Sequence, residues 1–245
     1  MTVALFDIDG TIITKITRNP TSKQLAFTRA IEVSYGIADL NYMDYPIFGL
    51  TDPGILVLLL KHHGLDDTVI AAKEPAFARN LVDIHRSMAR DREPQYGPLP
   101  GAADLLRVLR ETGVWLGLAT GNYEALARFK LEQAGLERFF EFGGYGEDGS
   151  DRAAIVAAAM ERSGVRDLKS FVLVGDTPHD VTAGRRNGIR VKAVATGRFT
   201  VSDLVSVTGS ATDVFSDLSD YQSVAQCLAD GIRRKTASLR RMPGK

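Results

Sequence analysis

Five apolar runs rich in β-branched residues punctuate the chain, at positions 3–6, 114–119, 171–174, 190–195 and 214–215. Runs this short and continuous predict strands buried on both faces, as in a parallel sheet. Between most of them apolar positions recur at helical spacing, over 102–110, 123–134, 152–162 and 180–186. Strands alternating with helices predict an α/β fold with a doubly wound, Rossmann-like parallel sheet.

The alternation breaks after the first strand. Ordinary strand-to-helix connections run about 2 to 6 residues, whereas the next strand begins only at position 114. The intervening pattern is helical over 24–34, 55–62 and 68–89, and Asp52-Pro53 supplies an N-cap and a first-turn proline to the second of these. The reading is an inserted helical cap at 17–92. A core is expected at 1–16 and 93–230, with linkers near 11–17 and 92–100. Residues 231–245 are basic and lack an apolar face, so they read as a mobile tail.

Composition narrows the class. With 245 residues, 44% of them hydrophobic, the chain can bury a sizeable core. Its formal net charge is zero, which argues against the strong positive field of a duplex-binding protein. Cys227 is the single cysteine, so no intrachain disulfide framework or multi-cysteine zinc site is possible. No apolar run is long enough to span a bilayer. A cytoplasmic protein is expected, without nucleic-acid or membrane partners and with a monomer as the simplest assembly.

In such a sheet ligands sit beyond the carboxyl ends of the strands. There the first strand delivers Asp7 and Asp9, two apart and therefore on one face, with Gly10 permitting a sharp turn after them. Taken alone, Asp-Gly is also an ordinary turn signal. The third strand ends in Gly175-Asp176-Thr177-Pro178-His179-Asp180, bringing two more acids to the same edge. Carboxylates converging in a partly buried crevice repel one another, so a cation or raised pKa values must compensate. An all-oxygen donor set favours a hard ion such as Mg²⁺.

After the second strand, Thr120-Gly121-Asn122 offers a hydroxyl and backbone N–H groups to a phosphate, but it equally suits a simple helix cap. Arg152 falls in the first turn of a helix, where a cation opposes the dipole. Either an anionic partner explains it, or it is an exposed arginine paired with Asp148 or Asp151. Lys130 is the rival cation, but the helix carries it about 10 Å from the strand ends, and it reads as a surface residue. His62, His63 and His85 lack metal-ligand spacing and read as surface or boundary residues, while His179 near the acids suits a structural role equally well.

These four segments, Asp7-Ile8-Asp9-Gly10-Thr11, Thr120, Arg152 and Gly175 through Asp180, resemble in order the motifs of the haloacid dehalogenase superfamily, specifically its phosphatases with a helical cap. Arg152 stands where that family more often has lysine. The resemblance covers nearly the whole chain. It implies that Asp7 is a nucleophile forming an aspartyl-phosphate, and that Asp9 protonates the leaving oxygen and then activates water. It further implies Mg²⁺ held by Asp7, the Asp9 carbonyl and Asp176, with Asp180 just behind them, and a phosphoryl group bound by Thr120, Gly121, Asn122 and Arg152.

Asp9 argues against dehalogenation, because a halide leaves without a proton. The expected activity is hydrolysis of a small phosphomonoester, with phosphoglycolate phosphatases the nearest subgroup. A sugar-phosphate mutase and a non-catalytic phospho-ligand or protein-binding module are the alternatives. Within the cap, Phe48, Gly49 and Thr51 form the candidate specificity loop, though the same residues could simply start a helix.

Overall fold

The computed structural model describes residues 1–16, 22–41, 44–47, 49–90, 95–149 and 151–229. At its centre lies β1 (Val3–Phe6), paired in parallel with β4 (Trp115–Ala119) on one side and β6 (Phe171–Gly175) on the other. Beyond β4 stands β5 (Phe142–Gly144); beyond β6 stand β7 (Arg190–Val194) and β8 (Val214–Phe215). The order is β5-β4-β1-β6-β7-β8, with every pairing parallel. The chain thus winds outward from β1 to β5, crosses back to β6 and winds out the other way. This reversal opens a crevice at the carboxyl ends of β1, β4 and β6.

The pleat explains why β1 must be apolar throughout. Ala4 and Phe6 point into one packed layer with Leu105, Leu109 and Val224, while Val3 and Leu5 point into the other with Val156, Ala159 and Leu173. The first layer is covered by α4 (Ala102–Glu111) and α9 (Tyr221–Ala229), the second by α6 (Arg152–Ser163) and α7 (Pro178–Arg186). Both faces of β1 are therefore dry.

Two departures from the sequence reading concern strands. The sheet has six strands instead of five, because β5 is a Phe-Gly-Gly segment whose glycines carry no apolar signal; its partner β4 creates it. The two linker regions contain β2 (Ile13–Lys15) and β3 (Tyr96–Pro98), which pair antiparallel. These three-residue strands are stabilised by each other, a non-local pairing that no window of sequence reveals.

Between β2 and β3 lie α1 (Ser22–Tyr35), α2 (Asp52–His62) and α3 (Asp67–Arg90). The Thr51 side chain caps α2 by accepting from the Gly54 N–H at 3.0 Å. Phe27 of α1 meets Phe77 of α3 edge-on at 5.0 Å, and Phe77 reaches Tyr123 at 6.1 Å, the residue that starts α5 (Glu124–Gln133). The Tyr123 hydroxyl donates to Glu74 of α3 at 2.9 Å. The inserted helices are thereby packed onto the segment that follows β4. Among the described residues, no helix is long and apolar enough to cross a membrane. The tail at 231–245 lies outside the described residues.

Phe77 is fully buried and shared by α1, α3 and Tyr123. Its truncation in Phe77→Ala is expected to cost about 3–5 kcal/mol of stability, measured by denaturant unfolding; a loss below about 1 kcal/mol would contradict this packing.

Candidate active site

The carboxyl end of β1 carries Asp7, whose N–H donates to the Val174 carbonyl at 2.9 Å and so continues the sheet ladder one residue past the strand. Its side chain is buried, as are those of Asp176 and Asp180. One carboxylate oxygen from each of these three lies within 4.8 Å of the others. Asp180 is held by a reciprocal cap: the Thr177 N–H and hydroxyl donate to its Oδ2 at 3.1 and 2.6 Å, and its own N–H donates to the Thr177 hydroxyl at 3.3 Å. The Thr11 hydroxyl donates to Asp176 Oδ1 at 3.1 Å.

Two glycines make room for Asp176. Gly10 has φ +82°, and a Cβ there would lie 2.5 Å from Asp176 Oδ2; a Cβ at Gly197 would run into the same oxygen. Gly197 was not singled out from the sequence, since it lies in a loop with no chemistry of its own. It is held near by the preceding residue, whose Thr196 hydroxyl donates to the Gly10 carbonyl at 2.6 Å.

Arg152 is the cation of this cluster. It occupies the first turn of α6, where Asp151 caps the helix by accepting from the Ala154 N–H at 2.9 Å. From there Arg152 Nη1 donates to Asp7 Oδ1 at 2.9 Å and lies 3.4 Å from Asp180 Oδ1. The alternative of a surface pair with Asp148 or Asp151 is ruled out: Asp148 is bound by Arg162, and Asp151 by Arg186 at 2.8 Å. The Arg152 Nε is buried without a hydrogen-bond partner.

Burial and mutual repulsion set the proton affinities. Burial pushes Asp7 up from 3.8 to about 6 against the pull of Arg152, with Asp180 adding to the rise. Burial, then Asp7 and Asp180, push Asp176 up to about 8. For Arg152, burial works to lower the guanidinium, but the charges of Asp7 and Asp180 outweigh it and hold it above its usual value. A single guanidinium does not neutralise three buried carboxylates. Such a set of hard oxygen donors fits a divalent cation, which would supply the missing charge.

Beside this cluster, Thr120 is fully buried just past β4. Its hydroxyl oxygen accepts from the Asn122 side-chain amide at 2.7 Å and from the Asn122 N–H at 3.3 Å. The Asn122 amide also donates to Asp9 Oδ2 at 2.9 Å, so the loop after β4 grips the second aspartate of β1.

Lys130 corrects the sequence reading, which took it for a surface residue. It is fully buried, and its Nζ donates to Asp9 Oδ2 and to Asn122 Oδ1, each at 2.6 Å. The rise along α5 alone carries Lys130 away from the strand ends, but its long side chain reaches back toward the N-terminal turn. His85 is also corrected: it is completely buried, with its ring near Tyr96 and Phe129, because it falls on the inner face of α3. Asp180 stands with Asp7 and Asp176 in the carboxylate cluster.

The inserted helices reach this site through the start of α2. The Asp52 N–H donates to the Gly121 carbonyl at 2.7 Å, and a Cβ on Gly121 would lie 3.1 Å from the Thr51 Cα. Gly49, at φ +82°, lies against the His179 ring so closely that a Cβ would collide with it. A cavity of about 180 Å³ is lined there by Gly49, Thr51, Arg152, His179, Thr182 and Arg186, among others. Phe48 lies outside the described residues.

Residues 4–194 match the family model of haloacid dehalogenase-like hydrolases, and the chain belongs to that family. It is 26% identical over 192 residues to a phosphoglycolate phosphatase of Agrobacterium fabrum, covering 76% of this chain and 77% of that one. It is 36% identical over 198 residues to the tyrosine-protein kinase PtkA of Mycobacterium bovis, covering 80% of this chain but 62% of that one. Among solved structures, CbbY of Rhodobacter sphaeroides in complex with phosphate superimposes with a TM-score of 0.64 at 16% identity, covering 89% of this chain and 96% of that one.

The raised carboxylates carry a measurable sign. An acid whose pKa is higher folded than unfolded binds its proton better when folded. Its contribution is complete below about 3.8 and is lost as pH rises through about 6 for Asp7 and about 8 for Asp176. In EDTA, thermal stability is therefore expected to decline on this account from about pH 4 to about pH 8, and added Mg²⁺ to raise the melting temperature more at the higher pH. An equal or smaller gain at the higher pH would contradict the cluster as a cation site.

Proposed function

We propose that this chain is a divalent-metal-dependent phosphatase that hydrolyses a small phosphomonoester through an aspartyl-phosphate on Asp7. The observation that carries this reading is the buried cluster of Asp7, Asp176 and Asp180 with Arg152 at the carboxyl end of the central strand. A carboxylate attacks a phosphate dianion only when surrounding positive charge offsets the repulsion. Asp7, Asp176 and the Asp9 carbonyl would hold Mg²⁺, with Asp180 beside them; the ion would supply Lewis acidity and the charge that Arg152 alone does not provide.

Asp7 attacks phosphorus, and the ester oxygen departs taking a proton from Asp9. An alkoxide is a poor leaving group, so a positioned acid accelerates this step by about 10² to 10⁴-fold. Water then attacks the aspartyl-phosphate with Asp9 as its base. Thr120 accepts two hydrogen bonds from Asn122, which leaves its single hydroxyl proton to donate to a phosphoryl oxygen. The buried Nε of Arg152 and the backbone N–H groups of Gly121 and Asn122 complete the cradle.

A small substrate suits the contact of Thr51 and Asp52 with Gly121, which narrows the approach, and the cavity of about 180 Å³ beside Arg152 that Gly49 and His179 help to line. Gly49 and Thr51 would face the leaving group. The names of the phosphatase relatives agree with this substrate class.

The test is phosphate release from a panel of small phosphomonoesters, phosphoglycolate and sugar phosphates included. Release is expected with Mg²⁺ and to fall to background in EDTA and in Asp7→Asn. Release that survives either treatment would overturn the mechanism, and absence of release from every ester would overturn the phosphatase reading.

A further inference from the structure

Lys130 is the charged group that the chemistry above leaves unused. It lies in the last turn of α5 with a fully buried side chain, and its Nζ stands 5.3 Å from the centre of the Tyr96 ring in β3. Burying an ammonium group is costly, and an apolar residue of similar shape commonly serves stability as well as a buried ion pair does. Stability therefore gives no reason for a lysine here. Its hydrogen bonds do.

Nζ donates to Asp9 Oδ2 and to Asn122 Oδ1, while the Asn122 amide donates to the same Asp9 oxygen at 2.9 Å. The three side chains form a closed ring of hydrogen bonds. Because an ammonium only donates, it compels Asn122 to present its oxygen to Lys130 and its NH₂ to Asp9 and Thr120. The reverse amide orientation would set two donors against each other. Asp9, whose side chain is 39% exposed, is thereby held against the phosphate-binding loop. Two donors, one of them charged, converge on Oδ2 of Asp9 and so fix the direction in which its carboxyl group points.

We infer that Lys130 is a positioning residue for the second half of the reaction, orienting Asp9 toward the water that hydrolyses the aspartyl-phosphate; this rests on the phosphatase reading above. In that step the water oxygen bonds to phosphorus and the phosphorus–oxygen bond to Asp7 breaks. Its electron pair returns to the Asp7 carboxylate, the water's proton passes to Asp9, and inorganic phosphate leaves. Formation of the aspartyl-phosphate from an ester with a good leaving group needs no proton, so Lys130 should not affect it.

The two halves separate in stopped-flow measurements with p-nitrophenyl phosphate and Mg²⁺, where nitrophenolate release reports the first half directly. In Lys130→Met the first turnover is expected to keep its wild-type rate while later turnovers slow by about 10²-fold or more, the range of a lost acid–base contribution. Lys130→Gln, which retains a donor, is expected to recover part of that loss. First and later turnovers slowing together, or neither slowing, would overturn the assignment. Thermal melts identify a variant that does not fold; Lys130→Gln and Lys130→Leu then carry the same comparison. Wild-type protein that releases no nitrophenolate would overturn the phosphatase reading, and this inference with it.

Discussion

The structure is organised around an electrostatic debt at the carboxyl end of β1. Three buried carboxylates share a space less than 5 Å across. Each pair of like charges at such a distance repels by on the order of 3 kcal/mol at an effective dielectric constant near 20. Nothing in the packing of the fold requires this. The cluster persists because the chain aims Arg152 into it from the first turn of α6, and because the remaining imbalance raises Asp7 and Asp176 toward neutrality. A site strained by like charge is ready to receive a cation and, through it, an anion.

The rest of the architecture serves to hold these groups at the required separation. Asp7 is locked by the parallel ladder to β6, which brings Asp176 one residue past its own strand end. Asp180 is fixed by the cap that starts α7, and Asp176 is admitted by Gly10 and Gly197. A second group of side chains stands on the other side of β1, where Asn122 and Lys130 converge on Asp9. The two carboxylates of β1 thus have separate cationic partners. Asp7 faces Arg152 and the acids of β6 and α7, whereas Asp9 faces the loop after β4.

The inserted helices meet the loop after β4 through backbone as well as side chains. Asp52 of α2 bonds to Gly121, which is small where Thr51 lies against it, and Gly49 lies against His179 of α7. Relatives in this family carry names as different as phosphoglycolate phosphatase and tyrosine-protein kinase. Fold alone does not fix the reaction, and such names can differ where folds agree.

By itself the sequence determined the parallel sheet and the helical pattern that separates its first two strands, and it drew notice to four acids that follow strand ends. All of these follow from local periodicity and from the rule that strands deliver ligands at their carboxyl ends. It did not determine β2, β3 or β5, whose hydrogen bonds exist only between distant segments. Nor did it determine the partners of the two cations. Lys130 looked like a surface residue, and spacing left Arg152 open between an anionic partner and a surface pair, because a helix records spacing but not what a long side chain meets. Only the tertiary structure, by bringing α6 to Asp7 and folding the Lys130 stem back toward Asp9, decided which charge answers which carboxylate. Charge pairing in a buried site acts through space, across more than a hundred residues of chain, so no local pattern encodes it.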